Sequence, residues 1–334
     1  MSHLYITDNG SILGVDGGRY VIRQKDQLIR SIPRESIESV SIFGNSTITT
    51  PCMQQLLTSG TAVCFFSSKG RYYGRLHSVT GDKIELLKQQ FAVLDDPAFS
   101  VAVSAEIAAA KIHNQQVVLK RYIGRDEDWY LRELSIIRQM EKKVMNAVSA
   151  AEIMGYEGMA AKLYFRVLGE IVRPEFRFYG RNRRPPKDAF NSMLSLGYTL
   201  LLYEIMAKLE TQRLSPCYGV LHTDRDGSPA LCSDLMEEWR SVIVDSAVMA
   251  MVQGNEISPD DFVSDENAAG IYLSNGALRR FINKLERKLN QKNKYLDYEN
   301  REYSFRQAIH LQCGKFAEAI TKKDPAVYHP VRIR

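Results

Sequence analysis

Residues 219–240 read Gly-Val-Leu-His-Thr-Asp-Arg-Asp-Gly-Ser-Pro-Ala-Leu-Cys-Ser-Asp-Leu-Met-Glu-Glu-Trp-Arg and combine one histidine, a turn and a carboxylate cluster. The segment Asp226-Gly227-Ser228-Pro229 predicts that the backbone bends between His222 and the carboxylates. From residue 234 onward apolar residues recur with the helical period, and the opposite face carries the acidic residues Asp234, Glu237 and Glu238. This arrangement is a candidate site for a divalent cation. The Asp234-x-x-Glu237 spacing also fits a capping box on a solvated helix face.

Composition limits the class of protein without identifying its partner. The 334 residues are enough for about two domains, and 45% hydrophobic with 25% charged residues is ordinary for a globular chain. The net charge of +5 is too small by itself to establish a nucleic-acid partner. Five cysteines without a CxxC pair predict reduced thiols in a cytoplasmic protein. We see no export signal and expect no membrane segment.

The pattern of apolar residues changes along the chain. Up to about residue 80, short apolar bursts alternate with turn signals such as Asn9-Gly10 and Gly17-Gly18, and one helix is predicted at about 50–59. Beyond that point we predict helices at about 97–122, 131–150, 150–173, 187–212, 234–253, 276–292 and 301–322. The fold class is therefore α+β, with a β-rich domain at 1–85 and a larger all-α domain at 86–334.

Glu157 lies in the middle of the apolar stripe of the helix predicted at 150–173, with Ile153 and Ala161 one turn away on either side. An unpaired ionised carboxylate is costly in that position, so Glu157 must be paired, protonated or bound to a cation. A buried ion pair with an arginine is one interpretation. Gly155 and Gly158 leave space beside the carboxylate, which favours a binding site.

Two segments concentrate positive charge. The first is a loop at 173–191 that interleaves arginines with aromatic residues, a mixture suited to phosphate contacts and base stacking. The second, at 279–294, also fits a solvated helix face. Together they supply the candidate nucleic-acid-binding residues Arg177, Arg181, Arg183, Arg184, Arg279, Arg280, Lys284, Arg287 and Lys288.

Ordered motifs along the chain resemble a known family. They are Tyr156-Glu157-Gly158-x-Ala160-Ala161-x-x-Tyr164-Phe165, Arg183-Arg184-Pro185-Pro186-x-Asp188-x-x-Asn191, and Gly219-x-Leu221-His222 followed by Asp234-Leu235-Met236-Glu237. They are similar to those of the CRISPR-associated adaptation integrases, metal-dependent endonucleases that insert spacers. Ile42-Phe43-Gly44-Asn45 and the stretch 65–75 resemble that family's β-domain.

The resemblance implies a homodimer joined through the β-domain, working with a small second adaptation protein on double-stranded DNA, both spacer precursor and repeat array. It implies that Glu157, His222 and Glu237 hold Mg²⁺ or Mn²⁺ and that Asp234 is a further catalytic acidic residue. Whether Asp234 or Glu237 is the more direct ligand stays open. Asn191 of the second motif joins the candidate nucleic-acid contacts.

The expected function is a metal-dependent endonuclease and integrase that joins 3′-hydroxyl ends of spacer DNA into a repeat array by transesterification. A divalent ion stabilises the charge that develops on the phosphate and eases loss of the nucleophile's proton, so no protein nucleophile is needed. The sequence contains no Walker phosphate loop, GxSxG elbow or zinc-type Cys/His spacing. A non-catalytic nucleic-acid-binding dimer and a metal phosphohydrolase acting on RNA or nucleotides are the alternatives.

Overall fold

The computed structural model describes residues 2–77, 84–124, 128–222, 228–265 and 269–334. The chain divides into two compact units, Met1–Asp82 and Lys83–Arg334. The first unit is rich in strands and the second is mostly helical, which confirms the predicted α+β fold class. Most of the turn expected at Asp226-Gly227 lies outside the described residues.

The N-terminal unit contains two four-stranded sheets. One sheet has the order β1 (Ser2–Ile6), β5 (Ile37–Phe43), β7 (Ala62–Phe66) and β8 (Tyr72–Leu76), and the other has the order β4 (Gln27–Pro33), β3 (Arg19–Gln24), β2 (Ser11–Asp16) and β6 (Thr47–Ile48). The predicted hairpin turn at Gly17 and Gly18 joins β2 to β3, and both glycines have positive φ, as such a turn requires. Helix α1 (Thr50–Thr58) agrees with the prediction, and its Leu56 packs into the core between the sheets.

The helical unit contains α2 (Ile84–Leu94), α3 (Pro97–Tyr122), α4 (Leu131–Val144), α5 (Ala150–Ile171), α6 (Ala189–Thr211), α7 (Ala230–Arg240), α8 (Ser246–Gln253), α9 (Asn275–Leu289) and α10 (Phe305–Lys322). Several of these helices have an N-cap residue whose side chain accepts a backbone hydrogen bond, including Asp96 before α3, Ser149 before α5 and Asp188 before α6. Helix α3 is buried along most of its length and packs against α4, α5 and α7. It therefore forms the centre around which the candidate site residues are arranged.

The structure departs from the predicted elements in several places. The helix predicted from residue 234 begins at Ala230, directly after Pro229, and a π-helical segment, Ser241–Asp245, separates α7 from α8. Two hairpins were not predicted: β9 (Phe262–Asp265) with β10 (Gly270–Leu273), and β11 (Lys292–Asn293) with β12 (Tyr303–Ser304). Helix α10 begins later than predicted because Ser304 and Gln307 form a capping box there.

The five cysteines, all within the described ranges, form no disulfide bond. Among the described residues, no helix combines the length and the apolar character needed to cross a membrane.

Candidate active site

The polar face of α7 is buried, not solvated. Asp234 and Glu238 are 0% exposed and Glu237 is 2% exposed. The residue preceding the helix is Pro229, which makes no side-chain cap, and Asp234 lies within the helix. The capping-box interpretation of Asp234-x-x-Glu237 is therefore wrong, and these carboxylates need other partners.

Asp234 holds the loop that carries His222. Its carboxylate accepts hydrogen bonds from the backbone N–H groups of Val220 at 2.7 Å, Leu221 at 3.0 Å and His222 at 3.2 Å. A Cβ at Gly219 would lie 2.5 Å from Asp234 Oδ2, so glycine is needed for this close approach. The loop's backbone is thus fixed onto the first turns of α7.

Asp234 also fixes the His222 ring, because His222 Nδ1 lies 2.5 Å from Asp234 Oδ1. This hydrogen bond is the main reason why the pKa of His222 is raised above its ordinary value. It assigns the proton to Nδ1 and leaves Nε2 as the atom that can bind a metal. Asp234 is thus occupied in positioning His222 and its loop.

Glu157 and Glu237 converge on Lys111 of α3. The Lys111 ammonium donates to Glu157 Oε1 and lies 2.6 Å from Glu237 Oε2. An ion pair with an arginine was one interpretation of Glu157; the structure shows an ion pair, but its partner is this lysine. A Cβ at Gly155 or Gly158 would meet nothing within 4 Å, so the space beside Glu157 is open as expected.

Glu237 is the most strongly perturbed carboxylate of the group. Burial alone would raise its pKa, but the positive charges of Arg240, Lys111 and His222 outweigh burial and lower the pKa to about 2. Arg240 Nη1 lies 3.2 Å from Glu237 Oε1. Lys111 Nζ lies 2.6 Å from the other carboxylate oxygen, Oε2. Glu237 is therefore ionised and paired with two cationic side chains.

Within the described ranges, no group of three or more His, Cys, Asp and Glu side chains is arranged to hold a metal ion. The Lys111 ammonium stands between the two carboxylates, where a bound cation would be expected to lie. Two carboxylates and an imidazole that can bind through Nε2 are nevertheless a donor set suited to Mg²⁺ or Mn²⁺. The low pKa of Glu237, which keeps its carboxylate ionised, agrees with that fit.

Glu238 does not belong to this group. It accepts hydrogen bonds from Tyr328 Oη at 2.7 Å, from Gln312 Nε2 at 3.3 Å and from the backbone N–H of Val331. Burial raises its pKa to about 7 despite these donors. The third carboxylate of the sequence cluster thus anchors the C-terminal tail, whose position the motifs did not predict.

The basic loop at 173–191 contains both structural and exposed residues. Arg181 Nη1 donates to Asn191 Oδ1 at 2.8 Å, and Arg181 Nη2 donates to Ser195 Oγ at 3.0 Å. Asn191 is 0% exposed and also bonds Gly180 O, so the prediction that it contacts DNA is contradicted. Its role here is to hold the loop. Arg183 and Arg184 are exposed.

The second basic run lies on α9 and is partly neutralised. Arg280 pairs with Asp261, and Lys284 pairs with Glu256. Lys288 lies over the Phe305 ring at 5.2 Å, and burial lowers its pKa to about 8. Arg279 and Arg287 are exposed. This helix therefore presents less positive charge than its composition indicates.

Sequence reasoning did not include Lys111, Arg240, Tyr198 or Asp245 among the site residues. Two signals for them were available in the sequence: Lys111 lies within the largely apolar stretch 102–112, and Arg240 follows Glu237 by three residues. The wheel of a single helix cannot show that α3 supplies the partner of two carboxylates on other helices.

Comparison with known proteins identifies the family. Residues 4–287 match the family model described as CRISPR associated protein Cas1. A protein of Mycobacterium tuberculosis (strain CDC 1551 / Oshkosh) named CRISPR-associated endonuclease Cas1 is 32% identical over 327 residues, which cover 98% of this chain and 96% of that protein. CRISPR-associated endonuclease Cas1 4 of Methanospirillum hungatei JF-1 is 30% identical over 95% of this chain and 87% of its own length.

Solved structures agree with this assignment. A chain of a Cas6-RT-Cas1–Cas2 complex has a TM-score of 0.87 at 26% identity, covering 100% of this chain but 36% of that longer chain. A CAS1 protein from Thermotoga maritima shares the fold with a TM-score of 0.81 at 22% identity over 96% of this chain and 97% of its own. The resemblance seen in the sequence motifs is thereby confirmed. The family model matches most of the chain, and relatives of similar size are 30% or more identical to it. The chain therefore belongs to the CRISPR-associated protein Cas1 family.

Proposed function

We propose that the protein is a metal-dependent DNA endonuclease and integrase that joins 3′-hydroxyl ends of spacer DNA into a CRISPR repeat array. The observation that carries the proposal is the convergence of Glu157 and Glu237, with His222 fixed by Asp234, in a chain whose relatives are named endonucleases. A casposase bound to integration product has the same fold, with a TM-score of 0.84 at 23% identity.

Glu157, His222 and Glu237 hold Mg²⁺ or Mn²⁺ in this proposal. When bound, such an ion stabilises charge on the reacting phosphate and makes the attacking hydroxyl or water easier to deprotonate. Asp234 keeps the His222 proton on Nδ1, which leaves Nε2 to bind the ion. Arg240 keeps Glu237 ionised. Lys111 balances the two carboxylates, and its ammonium would have to move for a metal ion to be held between them.

The proposed partners are double-stranded DNA, a second copy of the chain bound through the β-rich unit, and a small second adaptation protein. The Cas6-RT-Cas1–Cas2 complex supports the last of these. For DNA, the exposed Arg183 and Arg184 are the strongest candidates within the basic loop. Replacing both by alanine should weaken DNA binding and flatten its salt dependence, because each phosphate contact contributes to the slope.

The test is a strand-transfer assay on a supercoiled target carrying a repeat, with a short duplex bearing free 3′-hydroxyls, with and without the partner protein. His222→Ala should abolish joining in Mg²⁺ and Mn²⁺, whereas His329→Ala, a change at an exposed histidine in the tail, should not. EDTA should abolish joining by wild type.

The alternatives give different results in that assay. DNA binding without metal-dependent joining by wild type would indicate a non-catalytic binding dimer. Faster hydrolysis of single-stranded RNA or nucleotides than of DNA would indicate a metal phosphohydrolase. Joining that survives in EDTA or in His222→Ala would refute the assigned site.

A further inference from the structure

A cavity of about 580 Å³ lies in the helical unit and is lined by none of the candidate metal ligands. It is bounded by the last turns of α3 and α9, the loop that joins β11 to β12, and residues 332–334. Val242 of the π-helical segment contributes to its wall, whereas Glu157, His222 and Glu237 do not. A ligand in this cavity would therefore be distinct from one held at the proposed metal site.

The lining of this cavity carries an excess of positive charge. Among the described residues, its cationic side chains are Arg121, Lys288, Lys294, Arg332 and Arg334, and its acidic ones are Asp297 and Glu299. Arg332 pairs with Glu106, which does not line the cavity, at 3.1 Å. Glu299 accepts a hydrogen bond from the Tyr303 hydroxyl at 3.1 Å. The remaining cations outnumber the acidic groups, so the cavity suits an anion.

Lys288 is the half-buried cation of this group. Its ammonium lies 5.2 Å from the centre of the Phe305 ring, and within the described ranges it makes no ion pair. Burial lowers the pKa of Lys288 to about 8, and the positive charges of Arg121 and Lys284 add to this effect. The protein thus places this ammonium beside other cations and away from solvent.

Neighbouring cations show how burial is usually balanced. Lys284, one turn earlier on α9, pairs with Glu256, and Arg306 of α10 pairs with Glu204 and Glu286. Lys288 has no such carboxylate among the residues that the structure describes. Holding a half-buried ammonium beside another cation costs free energy, which a bound anion would recover.

The shape of the cavity suits a compact ligand with several negative charges. Arg121, Lys288 and Lys294 come from three separate elements and line a single volume. An extended DNA strand has its charges spaced along a backbone, and a row of cations matches it better. The volume falls within the range of about 300–1,000 Å³ that is typical of small-molecule sites. A small polyanion therefore fits this arrangement better than a nucleic-acid strand.

An aromatic ring lies beside these cations. Tyr295 lines the cavity, is partly exposed, and stacks on Phe305 with the ring centroids 3.9 Å apart. Its hydroxyl donates to the Gln291 carbonyl at 3.2 Å, which fixes the ring. A fixed, partly exposed aromatic ring is suited to stacking on a nucleobase.

We propose that this cavity binds a small molecule that carries a polyphosphate group, with Arg121, Lys288 and Lys294 contacting the phosphates. Two sources supply this chemistry: a nucleoside triphosphate, whose base would stack on Tyr295, and inorganic triphosphate. The proposal concerns binding and goes beyond the integrase function, which requires no free nucleotide.

Isothermal titration calorimetry of the full chain with adenosine triphosphate tests the proposal. EDTA is present throughout, so that the candidate metal site holds no divalent ion, and chloride keeps the ionic strength constant. Lys288→Met should weaken binding by about tenfold or more, because hydrogen bonds to charged groups contribute that much. The variant should be at least as stable as wild type to heat, since it removes a half-buried cation beside Arg121.

Lys292→Met is the matched control. Lys292 is exposed and lies two residues before Lys294, but it does not line the cavity. It removes the same charge from the same region, so its affinity for adenosine triphosphate should equal that of wild type. His222→Ala should also bind as wild type does, because His222 lies outside the cavity.

Inorganic triphosphate and a short DNA duplex serve as competitors. Displacement of adenosine triphosphate by inorganic triphosphate, with both dependent on Lys288, would support the proposal. Tighter binding of the nucleotide would then identify the nucleoside triphosphate as the ligand, and equal affinity would identify the triphosphate group alone.

Three results would overturn the proposal. The first is no binding of adenosine triphosphate by wild type, and the second is equal binding by wild type, Lys288→Met and Lys292→Met. The third is weaker DNA binding by Lys288→Met in a protein that binds neither triphosphate, which would make the cavity a DNA contact. None of these results depends on metal-dependent joining, so the integrase function stands or falls separately.

Discussion

Lys111→Met should make the stability of the helical unit depend on divalent metal. In wild type the Lys111 ammonium neutralises Glu157 and Glu237, whose side chains are 19% and 2% exposed. Methionine has a similar length but no charge. It leaves Glu157 without this partner and Glu237 with Arg240.

The loss of unfolding free energy in Lys111→Met can be estimated from the burial of the ion pairs that Lys111 makes with Glu157 and Glu237. Removing one partner of a buried ion pair costs about 3–5 kcal/mol, and the partial exposure of Glu157 places this case near the lower value, about 3 kcal/mol. For a unit of this size, that free energy lowers the unfolding temperature by about 6–12 °C. A metal ion at 100 times its dissociation constant contributes about 2.7 kcal/mol and should restore most of the loss.

Thermal unfolding in EDTA and in Mn²⁺ measures both effects. Lys120→Met, an exposed position on the same helix, is the control and should behave as wild type. Wild type should respond less to Mn²⁺ than Lys111→Met, because metal must first displace the ammonium. A variant as stable as wild type in EDTA, with an equal Mn²⁺ response, would refute the reasoning.

Three further predictions concern groups around the site. Burial raises the pKa of Asp245 to about 6. Between about pH 4 and 6 the folded state therefore keeps a proton that the unfolded state has lost, and the free energy of unfolding falls as pH rises through that window. Between pH 4 and 6 the free energy of unfolding of wild type should fall by about 3 kcal/mol more than that of Asp245→Asn. Equal changes in the two proteins would contradict this prediction. Tyr328→Phe removes a donor to the buried Glu238 and should cost about 1.5–3 kcal/mol at pH 8 in urea unfolding, whereas Tyr179→Phe, at a 91% exposed tyrosine, should cost nothing measurable. Asp234→Asn should lower the pKa of His222 toward its ordinary value in an NMR titration, and an unchanged pKa would show that Asp234 does not hold the ring.

Local signals in the sequence were sufficient for most helix positions. The prediction for α3 coincides with the observed Pro97–Tyr122, because Asp96 accepts a hydrogen bond from Ala98 N at 3.0 Å and proline follows it directly. The helix predicted at 131–150 ends earlier, and Ser149 then caps α5. The first residue of a helix can therefore be predicted from the sequence where a capping residue precedes it, whereas the last residue is harder to predict.

The environment of the carboxylates could not be predicted in the same way. A helical wheel places Asp234, Glu237 and Glu238 on one face but does not show what covers that face. Glu238 meets Tyr328, a residue 90 positions away, and Glu237 meets Lys111 from α3. These long-range contacts decide whether an acidic face is solvated or buried, and local periodicity contains no information about them.

The contrast between the neighbouring residues Glu237 and Glu238 gives a physical reason for placing the candidate site at Glu237. A buried donor or acceptor without a partner costs about 1–3 kcal/mol, so folding alone favours satisfying each of them, as it does for Glu238. Glu237 differs from Glu238, because the cations Lys111 and Arg240 lie 2.6 and 3.2 Å from its two carboxylate oxygens. The positive charges around it outweigh burial and lower its pKa to about 2, whereas burial raises the pKa of Glu238 to about 7. A buried carboxylate that stays ionised suits a divalent cation, in agreement with the proposed metal site.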